Sequence, residues 1–66
     1  MRIEIKVKQI RKEKNMSLSE LSKKSGISTT HINDIENNLK SPSLLVAVLL
    51  ARALDINITE LYMIYF

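Results

Sequence analysis

Between Ser17 and Asn38 the chain reads SLSELSKKSGISTTHINDIENN, two short apolar rhythms separated by the only glycine of the sequence, Gly26. Each rhythm opens on a serine. Ser17 and Glu20 have the S-x-x-E spacing of a capping box, and Leu18, Leu21 and Ser22 then share one helical face. Gly26 predicts the stop, since glycine takes the left-handed conformation that closes a helix without a Cβ penalty. Ser28 predicts a second cap, followed by Ile32 and Ile35 on the inward face. A joint of about four residues forces such helices to cross steeply, as in a helix-turn-helix. Helices this brief are not stable alone, so the rest of the chain must supply what they pack on.

The flanking segments carry their own punctuation. MRIEIKV alternates Arg2, Glu4 and Lys6 with Ile3, Ile5 and Val7, the period of a short strand. From Val7 the spacing becomes helical, with Val7, Ile10 and Arg11 on one face and the helix ending near Lys14; Asn15 tolerates the left-handed closing position. Ser41 followed by Pro42 predicts a cap and a first-turn proline for a fourth helix running to about Leu54. Asn57 and Glu60 repeat the capping-box spacing and predict a last helix over Ile58 to roughly Ile64. The expectation is an all-α domain of five helices, with MRIEI and MIYF able to pair as a short two-stranded sheet.

Sixty-six residues hold one domain, 1–66, and 45% hydrophobic residues make it globular. There is no cysteine and one histidine, so neither a disulfide framework nor a metal centre is expected, and no cofactor motif is present. SLLVAVLLARAL is shorter than the ~18 residues of a membrane span and carries Arg52, and no signal-peptide order opens the chain. A cytoplasmic protein without membrane contact is expected. The net charge of +3 leans towards a polyanionic partner.

The second helix of the pair suggests which polyanion. Ile32 and Ile35 fall on one side; Thr29, Thr30, Asn33, Asp34 and Asn37 fall on the other. Solvated helix faces favour Lys and Glu, and both are missing here. Asn and Thr bond to base edges, the Thr methyl meets the thymine methyl, and Asp accepts from the cytosine amino group. A protruding helix of this composition suits the major groove of double-stranded DNA.

The stretch IRKEKNMSLSELSKKSGISTTHINDIENNLKSPSL, continued by LARALDINITELY, resembles the Cro/C1-type (Xre-type) helix-turn-helix family of bacterial and phage regulators. Arg11, Ser17, Leu21, Gly26, Ile27, Ser28, Ile32, Ile35, Glu36, Pro42, Ser43, Ala51 and Leu54 match its pattern in register. The resemblance implies a compact five-helix bundle of the lambda-repressor-like type and a sequence-specific transcriptional regulator, a repressor by expectation, reading operator half-sites as a homodimer. It also implies base contacts from Thr29, Thr30, Asn33 and Asp34, phosphate contacts from Ser17, Ser28, Asn37 and Lys40, and a structural salt bridge between Arg11 and Glu36. His31 reads as a surface residue at the margin of that face. The chain departs from the pattern at Leu18, where many members have a phosphate-clamping glutamine, at Asn38 in place of a glycine, and at Leu39 in place of a basic residue.

The family pattern assigns Leu44, Ala47, Val48, Leu50, Ala51 and Leu54 to the core, which leaves Leu45, Val46 and Leu49 at positions usually polar. The chain also closes on LYMIYF. Leu45, Leu49, Tyr65 and Phe66 are therefore candidates for a symmetric dimer interface, or pack within the monomer; a membrane-surface helix would need a Lys/Arg row that is missing. The same apolar face keeps open a protein-interaction module, such as an antitoxin or phage-type accessory factor. An enzyme is not expected. Ser28, His31 and Asp34 stand three apart along one helix and cannot assemble a nucleophile, base and oxyanion pocket.

Overall fold

The computed structural model describes residues Met1–Phe66. In chain order it runs β1 (Arg2–Ile5), α1 (Val7–Glu13), α2 (Leu18–Ser25), α3 (Thr29–Glu36), α4 (Leu44–Ala53), a 3-10 turn (Ile58–Leu61) and β2 (Tyr62–Tyr65). Four helices, not five, surround the core, and the terminal strands close a two-stranded antiparallel sheet with Arg2 opposite Tyr65 and Ile5 opposite Tyr62. The expected fifth helix is a single turn. Asn57 and Glu60 do form a capping box, but Tyr62 turns extended (φ −121°, ψ 149°). Tyr and Ile favour strands, and the ladder offered by β1 takes these residues out of the helix. The Lys6 N–H, donating to the Leu61 carbonyl at 2.8 Å, extends that tie to the entrance of α1.

Helices α2, α3 and α4 are short because local hydrogen bonds define both of their ends, whereas α1 opens at Lys6 without a side-chain cap. The hydroxyls of Ser17, Ser28 and Ser43 accept the N–H groups of Glu20, His31 and Val46. At the other ends Asn15, Asn38 and Asp55 take the left-handed conformation, with φ of 54°, 60° and 56°. In each case the following two-bond pattern is complete: Asn15 and Met16 donate to Lys12 and Arg11, Asn38 and Leu39 to Ile35 and Asp34, Asp55 and Ile56 to Arg52 and Ala51. This is the Schellman closure, with Asn and Asp filling the usual glycine position. Gly26 (φ 78°) closes α2 by donating to Ser22.

One apolar cluster joins the elements: Val7 and Ile10 of α1, Leu21 of α2, Ile32 and Ile35 of α3, Ala47 and Leu50 of α4, then Leu54 and Leu61. α2 packs on both α3 and α4, and α4 packs on the 3-10 turn. Leu18 and Ile27 are only half-buried at the edge of this cluster.

Helix α4 differs from the sequence reading in two respects. Its cap is Ser43 rather than Ser41, and Pro42 precedes the helix instead of opening it. The starting turn is therefore two residues late. In addition, Leu44 and Val48 are 77% and 38% exposed, whereas Val46 and Ala53 pack against the core. At about 100° per residue, Ala47, Leu50, Ala51 and Leu54 define the buried face. Val46 and Ala53 lie on the flank that meets its neighbours; Leu44 and Val48 lie on the flank that meets none. Substituting Ser43 with Ala is expected to cost about 1 kcal/mol, a drop of roughly 4–8 °C in Tm for a domain of this size. Ser41→Ala should stay within about 0.5 kcal/mol, and paired thermal melts read both.

Candidate nucleic-acid interface

The position of α3 rests on an ion pair from α1. Arg11 Nε donates to Glu36 Oε2 at 2.8 Å and Nη2 to Oε1 at 3.1 Å, a two-bonded fork, while Nη1 donates to the Met16 carbonyl at 2.9 Å. The two side chains are only 10% and 2% exposed. Arg11 thus joins three points: its own helix, the turn before α2 through Met16, and the last turn of α3 through Glu36. The left-handed Asn15 turns the chain back so that the Met16 carbonyl reaches the guanidinium, a contact that the sequence reading did not include.

With Ile32 and Ile35 wholly buried, the opposite side of α3 is left open. Thr29, Thr30, Asn33 and Asn37 are exposed there, and His31 is half-buried at the margin. Asn37 Nδ2 donates to Asn33 Oδ1 at 3.2 Å. The Asp34 carboxylate is less free: its side chain is 22% exposed, and Oδ2 lies 3.8 Å from Lys40 Nζ. Asp34 and Lys40 are therefore neighbours, and the lysine offsets the charge of the one acid on this face. Ser28 spends an acceptor on the His31 N–H and keeps its own proton to donate. Neither it nor Asp34 is turned towards the His31 ring by any hydrogen bond.

The N-terminus of α2 precedes this face in the chain order of the motif. The Ser17 N–H donates to Glu20 Oε1 at 3.1 Å and the Glu20 N–H donates back to Ser17 Oγ at 3.0 Å. This leaves the Leu18 and Ser19 N–H groups of the first turn without a helical acceptor. Both bonds with Ser17, backbone first and hydroxyl second, lower the Glu20 carboxyl below the ordinary glutamate value, assisted by Lys24 and Lys23. Ser25, buried in the turn, accepts the Ile27 N–H at 3.1 Å and shapes the joint between α2 and α3. The sequence reading passed over Ser25 because a serine at a helix end has no apolar signature.

The candidates for an interface between subunits lie elsewhere. Leu45 is exposed and Leu49 half-buried on α4, and the open apolar surface widens to Leu44 and Val48. Tyr65 and Phe66 are exposed at the end of the chain, with the Arg2 guanidinium 4.4 Å from the centre of the Tyr65 ring. No helix is long and apolar enough to cross a membrane.

A helix-turn-helix family model matches residues 7–61, from the start of α1 to the end of the 3-10 turn. The chain belongs to the Cro/C1-type helix-turn-helix family. The HTH-type transcriptional regulator SinR of Bacillus subtilis (strain 168) is 39% identical over 57 residues, which cover 85% of this chain and 51% of SinR. The chain thus spans about half the length of the curated relatives it matches. Among solved structures, the restriction-modification controller protein C.AhdI from Aeromonas hydrophila superposes with a TM-score of 0.82 at 30% identity, covering 85% of each chain. SinR in complex with DNA gives 0.79 at 38% identity, covering 85% of this chain and 90% of that one. The matched region holds both partners of the Arg11–Glu36 pair and the whole of α2 and α3, so the family's two-helix unit is complete in this chain.

Glu36→Gln leaves a buried guanidinium without its counter-charge and is expected to cost about 3–5 kcal/mol, whereas Arg11→Met with Glu36→Leu should recover most of the loss; denaturant titration of the three proteins checks the order. A flat result for the single variant would mean that the fork carries no stability. The capping box gives a second expectation. A lowered carboxyl pKa in the folded state stabilises the fold above the unfolded-state value and loses that contribution as pH falls through the folded value. Carboxyl NMR titration should place the Glu20 midpoint below the ordinary glutamate range, and Ser17→Ala should raise it only part of the way back, because alanine keeps the backbone N–H that donates to the carboxylate.

Proposed function

We propose that this chain is a sequence-specific DNA-binding transcriptional regulator that lays α3 in the major groove. The observation that carries the reading is the open side of α3: three uncharged hydrogen-bonding residues, Thr29, Thr30 and Asn33, on a helix held out by a buried ion pair. An eight-residue helix fits a groove about 12 Å wide. Thr29, Thr30 and Asn33 read base edges, and Asp34 accepts from a cytosine amino group where Lys40 leaves it free. Ser28 and Lys40 at the rim, with the open amides after Ser17, anchor the phosphates. The likeness to SinR, a transcriptional regulator by name that has been solved bound to DNA, supports the same assignment. Repression follows from occupying an operator, and the whole of 1–66 serves as the reading domain.

Two copies read two half-sites. A single α3 contacts too few base pairs to select one site, and the exposed apolar surface of α4, with Leu45 and Leu49, and the terminal Tyr65 and Phe66 supply a patch that a two-fold axis can pair with itself. Half-sites about 34 Å apart on a palindrome are expected.

Selection from random duplexes followed by a salt titration tests the reading. The bound sequences should be palindromic, and affinity should fall steeply between about 50 and 300 mM salt. Lys40→Ala should weaken every sequence alike and lower the salt slope by about 0.9. Recovery of a single half-site would remove the dimer. Salt-independent or absent binding would remove the groove reading and favour a protein-interaction module built on the α4 surface.

A further inference from the structure

The open side of α3 contains one hydrogen bond between side chains, and it joins Asn33 to Asn37, the residue at the C-terminal cap of the helix. Asn33 and Asn37 stand four apart, both exposed. They are tied twice: the Asn37 N–H donates to the Asn33 carbonyl at 3.0 Å, and Asn37 Nδ2 donates to Asn33 Oδ1 at 3.2 Å. An exposed asparagine gains little stability from such a bond, because water competes for both groups. Its consequence is orientational.

We propose that Asn37 is a positioning residue for Asn33, and that the pair reads adenine. This rests on the reading of α3 as the groove helix and moves Asn37 from the phosphate-contacting set to the base-reading one. The Asn33 amide is planar, with Oδ1 on one edge and Nδ2 on the other. Rotating it alone by half a turn would set its NH2 against the NH2 of Asn37, two donors facing each other, so the two amides turn only together. Asn37 therefore holds the Asn33 amide in place before any duplex arrives, whichever way the pair is turned. As found, Asn33 keeps one Oδ1 lone pair and both Nδ2 protons free, an acceptor and a donor side by side.

The base edge that complements such a pair is adenine's, where N7 accepts and the N6 amino group donates. Guanine offers two acceptors, N7 and O6, so an amide laid along that edge sets Oδ1 against one of them whichever way it is turned. An unrestrained asparagine escapes that clash by swinging off the edge to give a single Nδ2 bond; Asn33 cannot do so without breaking its bond to Asn37. The Asn37 contact thus acts on discrimination, with little effect on attraction to the phosphate chain.

The experiment measures affinity of the parent, Asn33→Ala, Asn37→Ala and the double variant for the selected duplex, and for the same duplex with each A·T pair in turn replaced by G·C. Asn33→Ala should lose discrimination at one A·T pair by about 5- to 100-fold. Asn37→Ala should lose discrimination at that same pair, and the double variant should be no worse there than Asn33→Ala. Three results would overturn the proposal: undiminished discrimination in Asn37→Ala, an equal loss of affinity for every duplex in that variant, as for a contact to the phosphate chain, or a G·C pair at the position that depends on Asn33. A parent that binds no duplex overturns the groove reading and this proposal together, whereas any of those three results in a sequence-selective parent leaves the groove reading standing.

Discussion

The fork between Arg11 and Glu36 is the interaction on which the remaining geometry depends. Helix α3 is only eight residues long and two of its residues, Ile32 and Ile35, are fully buried. Two apolar side chains fix how deeply a helix sits but leave it free to rock about its axis. A two-bonded guanidinium–carboxylate contact at its last turn removes that freedom, because the fork is planar and tolerates little rotation. The third bond, to the Met16 carbonyl, extends the constraint to the turn before α2. Both helices of the motif are thereby referred to α1, and the spacing between the α2 N-terminus and the open side of α3 becomes a property of the fold.

Helix ends do the complementary work. None of these helices would persist in isolation, yet α2, α3 and α4 each open on a serine cap, and a left-handed residue closes all four helices. The closing turn after α3 matters most. Asn38 reverses the chain, Leu39 and Lys40 donate back to the Asp34 carbonyl, and Lys40 Nζ is returned to the Asp34 carboxylate. A helix that ran on would carry its C-terminal carbonyls, and their negative dipole end, further along the same surface.

Surface chemistry is divided accordingly. Uncharged amides and hydroxyls occupy the open side of α3, while the apolar surplus lies on α4 and at the terminal strand. The two surfaces share no residue and stand on different elements of the fold. The departures at Leu18, Asn38 and Leu39 have different weights. Asn38 adopts the left-handed conformation that a glycine would take, so the backbone is preserved. Leu18 half-covers the core edge, and Leu39 is open to solvent, so both positions lack a phosphate-binding head.

Local chemistry in the sequence was sufficient to specify the caps at Ser17, Ser28 and Asn57, the left-handed stops at Asn15 and Gly26, and the short α2–α3 joint, because each depends on hydrogen bonds spanning five residues or fewer. The composition of the α3 surface was legible for the same reason: with Ile32 and Ile35 inward, helical periodicity sends Thr29, Thr30 and Asn33 outward. Only the tertiary structure decided the rest. Tyr62–Tyr65 became a strand because β1 lies across from it, and Leu44 and Val48 were left in solvent because no neighbour covers their flank of α4. Arg11 met Glu36 and Met16 together because packing carried residues distant in sequence to one point. Periodicity states which residues share a face; what stands opposite that face is settled by the three-dimensional packing of the whole chain.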